Sequence, residues 1–215
     1  MEFPYEKDSK ERLPYEHYLK VYQGLKPEDI SGRTGMAYDS DTSSFMLRLM
    51  GVTYRISWPD YEVRHLDRED LGYYPLENAA NARILVLRYL TEGASAPATG
   101  KFLTYREVPW GEVYFKQFQG RCIFRLAYGF GNKLPKFREV MEKIGATAVS
   151  HGDAGFEFEF MNGLYLQFLL WEGDEEFPPS AQILFSDNFP VAFVQGEDMA
   201  VVGDVSIGAL KALSQ

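Results

Sequence analysis

The sequence contains a single cysteine, Cys122, among its 215 residues. One thiol cannot form an internal disulfide, a Cys-x-x-Cys redox pair or the ligand set of a protein-bound Fe–S cluster. The longest apolar runs, such as 84–87 and 168–171, are far shorter than the roughly 20 residues that span a bilayer. The first residues also lack the basic and apolar regions of a signal peptide. We therefore expect a cytoplasmic protein that carries no Fe–S cluster of its own.

Cationic residues are outnumbered. The chain has 22 Lys and Arg against 31 Asp and Glu, so 22 − 31 gives a formal net charge of −9. Duplex nucleic acid and anionic membrane surfaces are bound through clustered Lys and Arg side chains. We therefore expect neither nucleic acid nor a membrane as a partner.

Hydrophobic residues make up 46% and charged residues 25% of the chain, proportions typical of a folded globular protein. Hydrophobic periodicity predicts helices over 14–25, 76–90, 112–130, 134–144 and 197–213, and strands over 36–38, 45–50, 52–57, 102–108, 146–149, 155–160, 164–171 and 182–185. These elements occur in blocks rather than in βαβ alternation. The predicted fold class is therefore α+β: a single domain over 14–215, with a mainly antiparallel sheet, helices packed on it and a polar N-terminal tail over 1–13.

The clearest pattern is a β-hairpin in the C-terminal third. Phe156, Phe158 and Phe160 alternate with Glu157 and Glu159, and the Asn-Gly pair at 162–163 is a strong hairpin signal. The returning strand, 164–171, carries its own apolar residues at alternating positions. We expect the three phenylalanines, together with Leu164, Leu166 and Phe168, to form part of the core.

Acidic residues and one histidine flank this hairpin on both sides. An antiparallel return places the two flanks side by side, which gathers His151, Asp153, Glu172, Asp174, Glu175 and Glu176. Carboxylates around one imidazole suit a divalent ion such as Mg²⁺, Mn²⁺ or Fe²⁺, with Asp153, Glu172 and Asp174 as candidate ligands. Crowded carboxylates also raise one another's pKa, as a general acid requires. The alternative is an exposed acidic loop in which Asp153 caps a turn.

Two further features bear on function. The segment 177–179, Phe-Pro-Pro, is rigid and apolar and could wall one side of a pocket next to these carboxylates. The predicted helix 112–130 is rich in aromatic side chains, which could line a small-molecule pocket or belong to the core. Cys122 lies within this helix, where a small buried thiol is expected rather than a nucleophile.

Three stretches of the sequence resemble one family. These stretches, Thr99-Gly100-Lys101, His151 to Phe156 and Leu170 to Phe185, are similar to the family catalogued as domain of unknown function 3786, and the similarity extends over roughly 15–213. The family is found mainly in anaerobic bacteria and archaea. Some of its members are joined to a small Fe–S cluster domain of the kind seen in corrinoid and one-carbon proteins.

The resemblance implies anaerobic metabolism, with a separate Fe–S or corrinoid protein as partner because this chain lacks the cluster cysteines. No activity is established for the family, so it assigns no catalytic residues. Three functions remain open. The first is an accessory or binding domain, the second is a metal-assisted hydrolase or lyase that uses His151, Asp153, Glu172 and Asp174, and the third is a small-molecule binder.

Overall fold

The computed structural model describes residues 8–215, and its central element within that range is an antiparallel sheet of nine strands. The strands are β1 (Tyr38–Asp39), β2 (Ser44–Leu49), β3 (Val52–Ser57), β4 (Val63–His65), β5 (Phe102–Thr104), β6 (Thr147–Val149), β7 (Ala154–Met161), β8 (Leu164–Trp171) and β9 (Ser180–Ser186). Their main order is β4-β3-β2-β7-β8-β9-β5, while β1 pairs with β2 and β6 with β7. The predicted α+β class is confirmed.

Helices contact this sheet at β1, β4, β7, β8 and β9. They are α1 (Leu13–Gly24), α2 (Pro27–Thr34), α3 (Pro75–Asn78), α4 (Ala80–Glu92), α5 (Gly111–Phe118), α6 (Phe124–Phe130), α7 (Leu134–Lys143), α8 (Phe189–Ala192) and α9 (Gly196–Leu213). A π-helical turn, Gln119–Ile123, joins α5 to α6. Helix α7 packs on β7, α6 packs on β8 and β9, and α9 packs on α4.

The predicted hairpin, β7 and β8, lies in the middle of the sheet. Phe158 pairs with Leu166 across β7 and β8, and Phe156 pairs with Phe168. All six predicted inward-facing side chains of the two strands are buried. The rings of Phe158 and Phe168 meet edge to face with their centroids 5.1 Å apart, a favoured aromatic geometry. The prediction from alternation is therefore confirmed.

The predicted helix 76–90 is interrupted at Ala79, whose backbone is extended with φ −128° and ψ 119°. The reason is a tertiary contact. The Glu77 carboxylate on α3 accepts hydrogen bonds from the His65 backbone N–H at 2.7 Å and contacts its imidazole Nδ1 at 2.9 Å. This contact ties α3 to β4, and α4 begins at Ala80, after the extended residue.

The predicted strand 102–108 is also shorter than expected. The Glu107 carboxylate accepts hydrogen bonds from the backbone N–H and the hydroxyl of Thr104, at 2.7 and 2.8 Å. This capping box begins a 3₁₀ turn, Tyr105–Glu107, directly after β5.

The predicted N-terminal tail lies partly outside the described residues, which exclude 1–7. Residues Asp8–Arg12 form a π-helical turn that continues into α1, so helical structure starts before the predicted Pro14. Within residues 8–215, every helix is too short or too polar to cross a membrane.

Candidate functional site

The structure brings Asp153 and Glu172 together at one end of the β7–β8 hairpin. The Asp153 backbone N–H donates to the Leu170 carbonyl at 2.8 Å, and the Glu172 backbone N–H donates to the Asp153 carboxylate at 2.8 Å. Both side chains are exposed. The Asp153 carboxylate therefore closes the turn between the two strands, which is the role that the capping alternative gives it.

Asp174 also binds its own loop. Its carboxylate accepts hydrogen bonds from the backbone N–H groups of Phe177, at 2.7 Å, and Glu176, at 2.8 Å. These two hydrogen bonds hold the pKa of Asp174 below its ordinary value. His151, Glu175 and Glu176 are exposed.

A metal site at the acidic loop would require several ligand side chains that point toward one ion. In the part of the chain from 8 to 215, no three His, Cys, Asp or Glu side chains are grouped so that they could hold a metal ion. Asp153 and Asp174 direct oxygens to backbone N–H groups, and exposed carboxylates are screened by water and salt. Divalent metal binding by Asp153, Glu172 and Asp174 stays a prediction that titration can test.

The Phe-Pro-Pro segment anchors the acidic loop to the end of α6. Gly131 leaves room for the proline ring, since a Cβ added there would lie only 2.4 Å from the Cβ of Pro179. The Gly173 N–H also donates to the Asn132 side-chain oxygen at 3.3 Å. Phe177, two residues before Pro179, is 67% exposed. The segment thus presents an aromatic ring to solvent near the C-terminal end of α6.

One face of the run from α5 to α6 belongs to the core. Phe118, Cys122, Leu126 and Phe130 are buried at intervals of four residues. Gly203 lets α9 approach closely, because a Cβ there would lie 2.8 Å from the Cys122 sulfur. Burial raises the pKa of the Cys122 thiol to about 12, so the thiolate is scarce at neutral pH. The expected buried, inert cysteine is what the structure contains.

The exposed positions of this run include three apolar or aromatic side chains as well as the polar Glu112, Lys116 and Gln117. Val113 is 77%, Phe124 46% and Tyr128 65% exposed, and the rings of Phe124 and Tyr128 lie 6.1 Å apart. We call these three residues, together with the exposed Lys116, the α5–α6 surface. The aromatic residues of the predicted helix 112–130 are therefore divided between the core and solvent.

This segment is also cationic within an acidic chain. Residues 113–138 contain no Asp or Glu and six basic residues: Lys116, Arg121, Arg125, Lys133, Lys136 and Arg138. Arg121 and Arg125 both contact Asp204 on α9, with Arg121 at 3.5 Å. Lys136 pairs with Glu139 at 3.3 Å. Across the whole chain the net charge is −9, so this segment of the sequence is more basic than the rest of the chain.

A groove of about 1010 Å³ lies between α4, α9 and the N-terminal segment 9–18, and Tyr114 and Arg121 form part of its wall. Arg88 and Asp198 form an ion pair in it at 2.5 Å, and the Asp198 side chain is only 6% exposed. Burial raises the pKa of Asp198 from 3.8 to about 6, while the Arg88 guanidinium opposes that rise.

The sequence patterns predicted neither the groove nor its residues Arg88, Asp198 and Asp204. The sequence holds one signal for it. Asp204 is the one charged residue in the stretch 199–210, which is otherwise apolar apart from a serine. An isolated charge within an apolar helix indicates a buried polar contact, although it does not identify the partner.

The comparisons with known proteins give one family. No curated protein and no solved structure matches the chain. The family model described as Domain of unknown function (DUF3786) matches residues 26–209, which is most of the sequence. The resemblance carried by the loop and hairpin motifs is thereby confirmed, and the chain belongs to the DUF3786 family.

Proposed function

We propose that this protein is a non-catalytic accessory domain of the cytoplasm that docks on a partner protein through the α5–α6 surface. The observation that carries the proposal is the exposure of Val113, Phe124 and Tyr128 on one helical run. Aromatic residues are enriched at the centres of protein interfaces. Exposing a cluster of aromatic side chains to water is unfavourable in free energy, and a docked partner would cover that cluster.

The positive charge on this helical run indicates which kind of partner surface would bind to it. Lys116 is exposed on the same run, and 113–138 carries no acidic residue. An acidic docking face would be attracted to this segment and repelled by the rest of a chain of net charge −9. We therefore expect a partner that presents an acidic, partly apolar patch and approaches in one orientation.

The family resemblance suggests which kind of protein that partner is. Members of the family are found mainly in anaerobes, and some are fused to an Fe–S cluster domain of corrinoid and one-carbon proteins. We propose an Fe–S or corrinoid protein of anaerobic metabolism as the separate partner of this chain. The hydrolase or lyase alternative depends on the acidic loop, where Asp153 and Asp174 serve as turn caps.

Site-specific photo-crosslinking in the native cells tests this proposal. A photoreactive phenylalanine analogue replaces Tyr128 in one strain and Leu66 in a control strain. Leu66 is 43% exposed and follows β4, at the opposite edge of the sheet from β5, which precedes α5. Both positions are exposed, and Tyr128 lies on α6, which packs on β8 and β9, whereas β4 is at the far edge of the sheet.

We expect the probe at 128 to form an adduct with one Fe–S or corrinoid protein, identified by mass spectrometry, and the probe at 66 to form none with it. Equal adducts from both positions, adducts only with a second copy of this chain, or no adduct at 128 would contradict the proposal.

A further inference from the structure

The turn between β7 and β8 is formed by an Asn-Gly pair. Met161 pairs with Leu164, so Asn162 and Gly163 are the two residues of the turn. Both have positive φ, 34° at Asn162 and 82° at Gly163, a conformation that favours Asn-Gly in hairpins. Asn162 is the one asparagine of the chain that precedes a glycine.

The backbone nitrogen of Gly163 is hydrogen-bonded to a carboxylate. Its N–H donates to Glu159 Oε1 at 2.7 Å. Glu159 also accepts two hydrogen bonds from the Arg48 guanidinium, at 2.7 and 2.9 Å. Burial raises the pKa of Glu159, but the hydrogen bonds from Arg48 and Gly163 hold it below its ordinary value. At neutral pH Glu159 is therefore an ionised acceptor, placed directly on the Gly163 N–H.

The side-chain carbonyl of Asn162 is hydrogen-bonded to a donor. Its Oδ1 accepts the Arg48 backbone N–H at 2.8 Å, and the Asn162 backbone N–H donates to the Arg48 carbonyl at 3.3 Å. A fixed N–H on a carbonyl oxygen stabilises the negative charge that develops there when a nucleophile attacks the carbon. The Asn162 carbonyl is thus held in one place with an oxyanion donor already bound to it.

We infer that Asn162 is a modification site, at which the fold supplies a base and an oxyanion donor for deamidation. The Gly163 nitrogen attacks Cγ of Asn162 and gives its proton to Glu159, while the Arg48 N–H stabilises the oxyanion. The new N–Cγ bond closes a succinimide ring, and the Cγ–Nδ2 bond breaks. The leaving nitrogen takes the proton back from Glu159 and departs as ammonia. Water then opens the ring to aspartate or isoaspartate.

Gly163 suits this attack for two reasons. It carries no side chain that would hinder the approach of its nitrogen to Cγ. Among residues 8–215, chain neighbours apart, no heavy atom lies within 4 Å of the position that a Cβ would take at Gly163. The turn therefore has open space beside the reacting atoms, while the hydrogen bonds to Glu159 and Arg48 restrict their orientation.

The product would alter a contact that holds a neighbouring loop. Asn188 donates from its side-chain nitrogen to the Gly163 carbonyl at 3.0 Å and to the Ala96 carbonyl at 2.9 Å. An isoaspartate at 162 adds a methylene group to the backbone and displaces the Gly163 carbonyl. We expect the segment around Ala96 to loosen as a result. This inference is independent of the proposed docking, since the reaction needs no partner protein.

Proteolytic peptide mapping by mass spectrometry, with chromatography to separate Asn, Asp and isoaspartate, tests the inference. The native protein is incubated at neutral pH beside a synthetic peptide of residues 157–167, which serves as the reference for the time course. We expect Asp and isoaspartate to accumulate at position 162 in the native protein. If Asn162 stays intact in the native protein while the peptide reacts to completion, the inference is wrong.

The variant Glu159→Gln identifies the role of the carboxylate. Gln keeps an acceptor for the Gly163 N–H but removes the base. A general base contributes about 10²–10⁴-fold when its pKa is well matched, and the low pKa of Glu159 reduces this, so we expect deamidation to slow at least about tenfold. Glu157→Gln is the matched control, because Glu157 lies on the same face of β7 and contacts Gln167 at 2.9 Å rather than the turn.

The sign of the change separates the two roles of Glu159. If Glu159 only holds the turn in place, its loss loosens the turn and leaves the rate unchanged or raises it. Either result in Glu159→Gln, or equal slowing in Glu157→Gln, would overturn the inference. Circular dichroism of both variants verifies that they are folded.

Discussion

Replacing Asp198 by Asn should change how the stability of the protein depends on pH. Burial raises the pKa of Asp198 from 3.8 to about 6 in the folded protein, so the native state holds the proton more tightly than the unfolded state. The stabilisation from this proton is absent above about pH 6, grows as the pH falls, and is complete below pH 3.8. A difference of about two pKa units corresponds to about 3 kcal/mol.

Urea unfolding at about pH 7 and about pH 4, for wild type and Asp198→Asn, measures this contribution. Subtracting the variant's unfolding free energy from that of wild type at each pH removes the titration of all other groups. The result should shift by about 2.4 kcal/mol in favour of wild type between pH 7 and pH 4, most of the full effect, because pH 4 lies just above the unfolded-state pKa.

The variant Asp174→Asn provides a control of opposite sign. Backbone hydrogen bonds lower the pKa of Asp174, so wild type should lose its advantage over this variant as the pH falls. The reasoning fails if the Asp198 difference is flat with pH or changes in the same direction as the Asp174 difference.

The remaining predictions concern the core, the thiol and the acidic loop. Phe158→Ala should lower the unfolding free energy in urea by about 3–5 kcal/mol because the ring is buried, while Phe177→Ala, at an exposed ring, should change it by less than about 0.5 kcal/mol; equal effects would be contrary to the packing described. Cys122 should react with iodoacetamide only after unfolding, so rapid labelling of the native protein would exclude a buried thiol. If the acidic loop binds Mg²⁺, Mn²⁺ or Zn²⁺, the melting temperature should rise with the logarithm of metal concentration. The double variant Asp153→Asn with Glu172→Gln should abolish that rise. If no metal shifts the melting temperature of the wild type, the metal site is eliminated.

Local pattern was sufficient to predict the parts of the fold that local physics determines. Alternation between Phe156 and Phe160 and the turn at Asn162 predicted both the hairpin and its buried face, because side chains of a strand point to opposite faces. The break at Ala79 could not be predicted in this way, since it follows from the contact between Glu77 and His65 of a different element.

In the candidate sites, too, the sequence predicted local features but not the contacts between distant elements. The antiparallel return predicted that Asp153 and Glu172 would lie together, but not that Asp153 would accept the Glu172 N–H. The aromatic content of 112–130 was evident, yet the π-helical turn at 119–123 adds a residue and shifts the phase of the helix, so spacing alone does not identify Phe124 as exposed. The groove depends on α4 packing against α9, and no local pattern encodes that contact.

The affinity of the purified partner for the chain tests the central claim most directly. The partner is the protein that photo-crosslinking identifies, and surface plasmon resonance measures its Kd for wild type, Tyr128→Glu and Leu66→Glu. Tyr128→Glu places a charge at an exposed aromatic position beside cationic residues and should raise the Kd at least about tenfold. Leu66→Glu should leave the Kd within about twofold, and added salt should weaken wild-type binding. Equal Kd values for wild type and Tyr128→Glu would contradict docking through the α5–α6 surface.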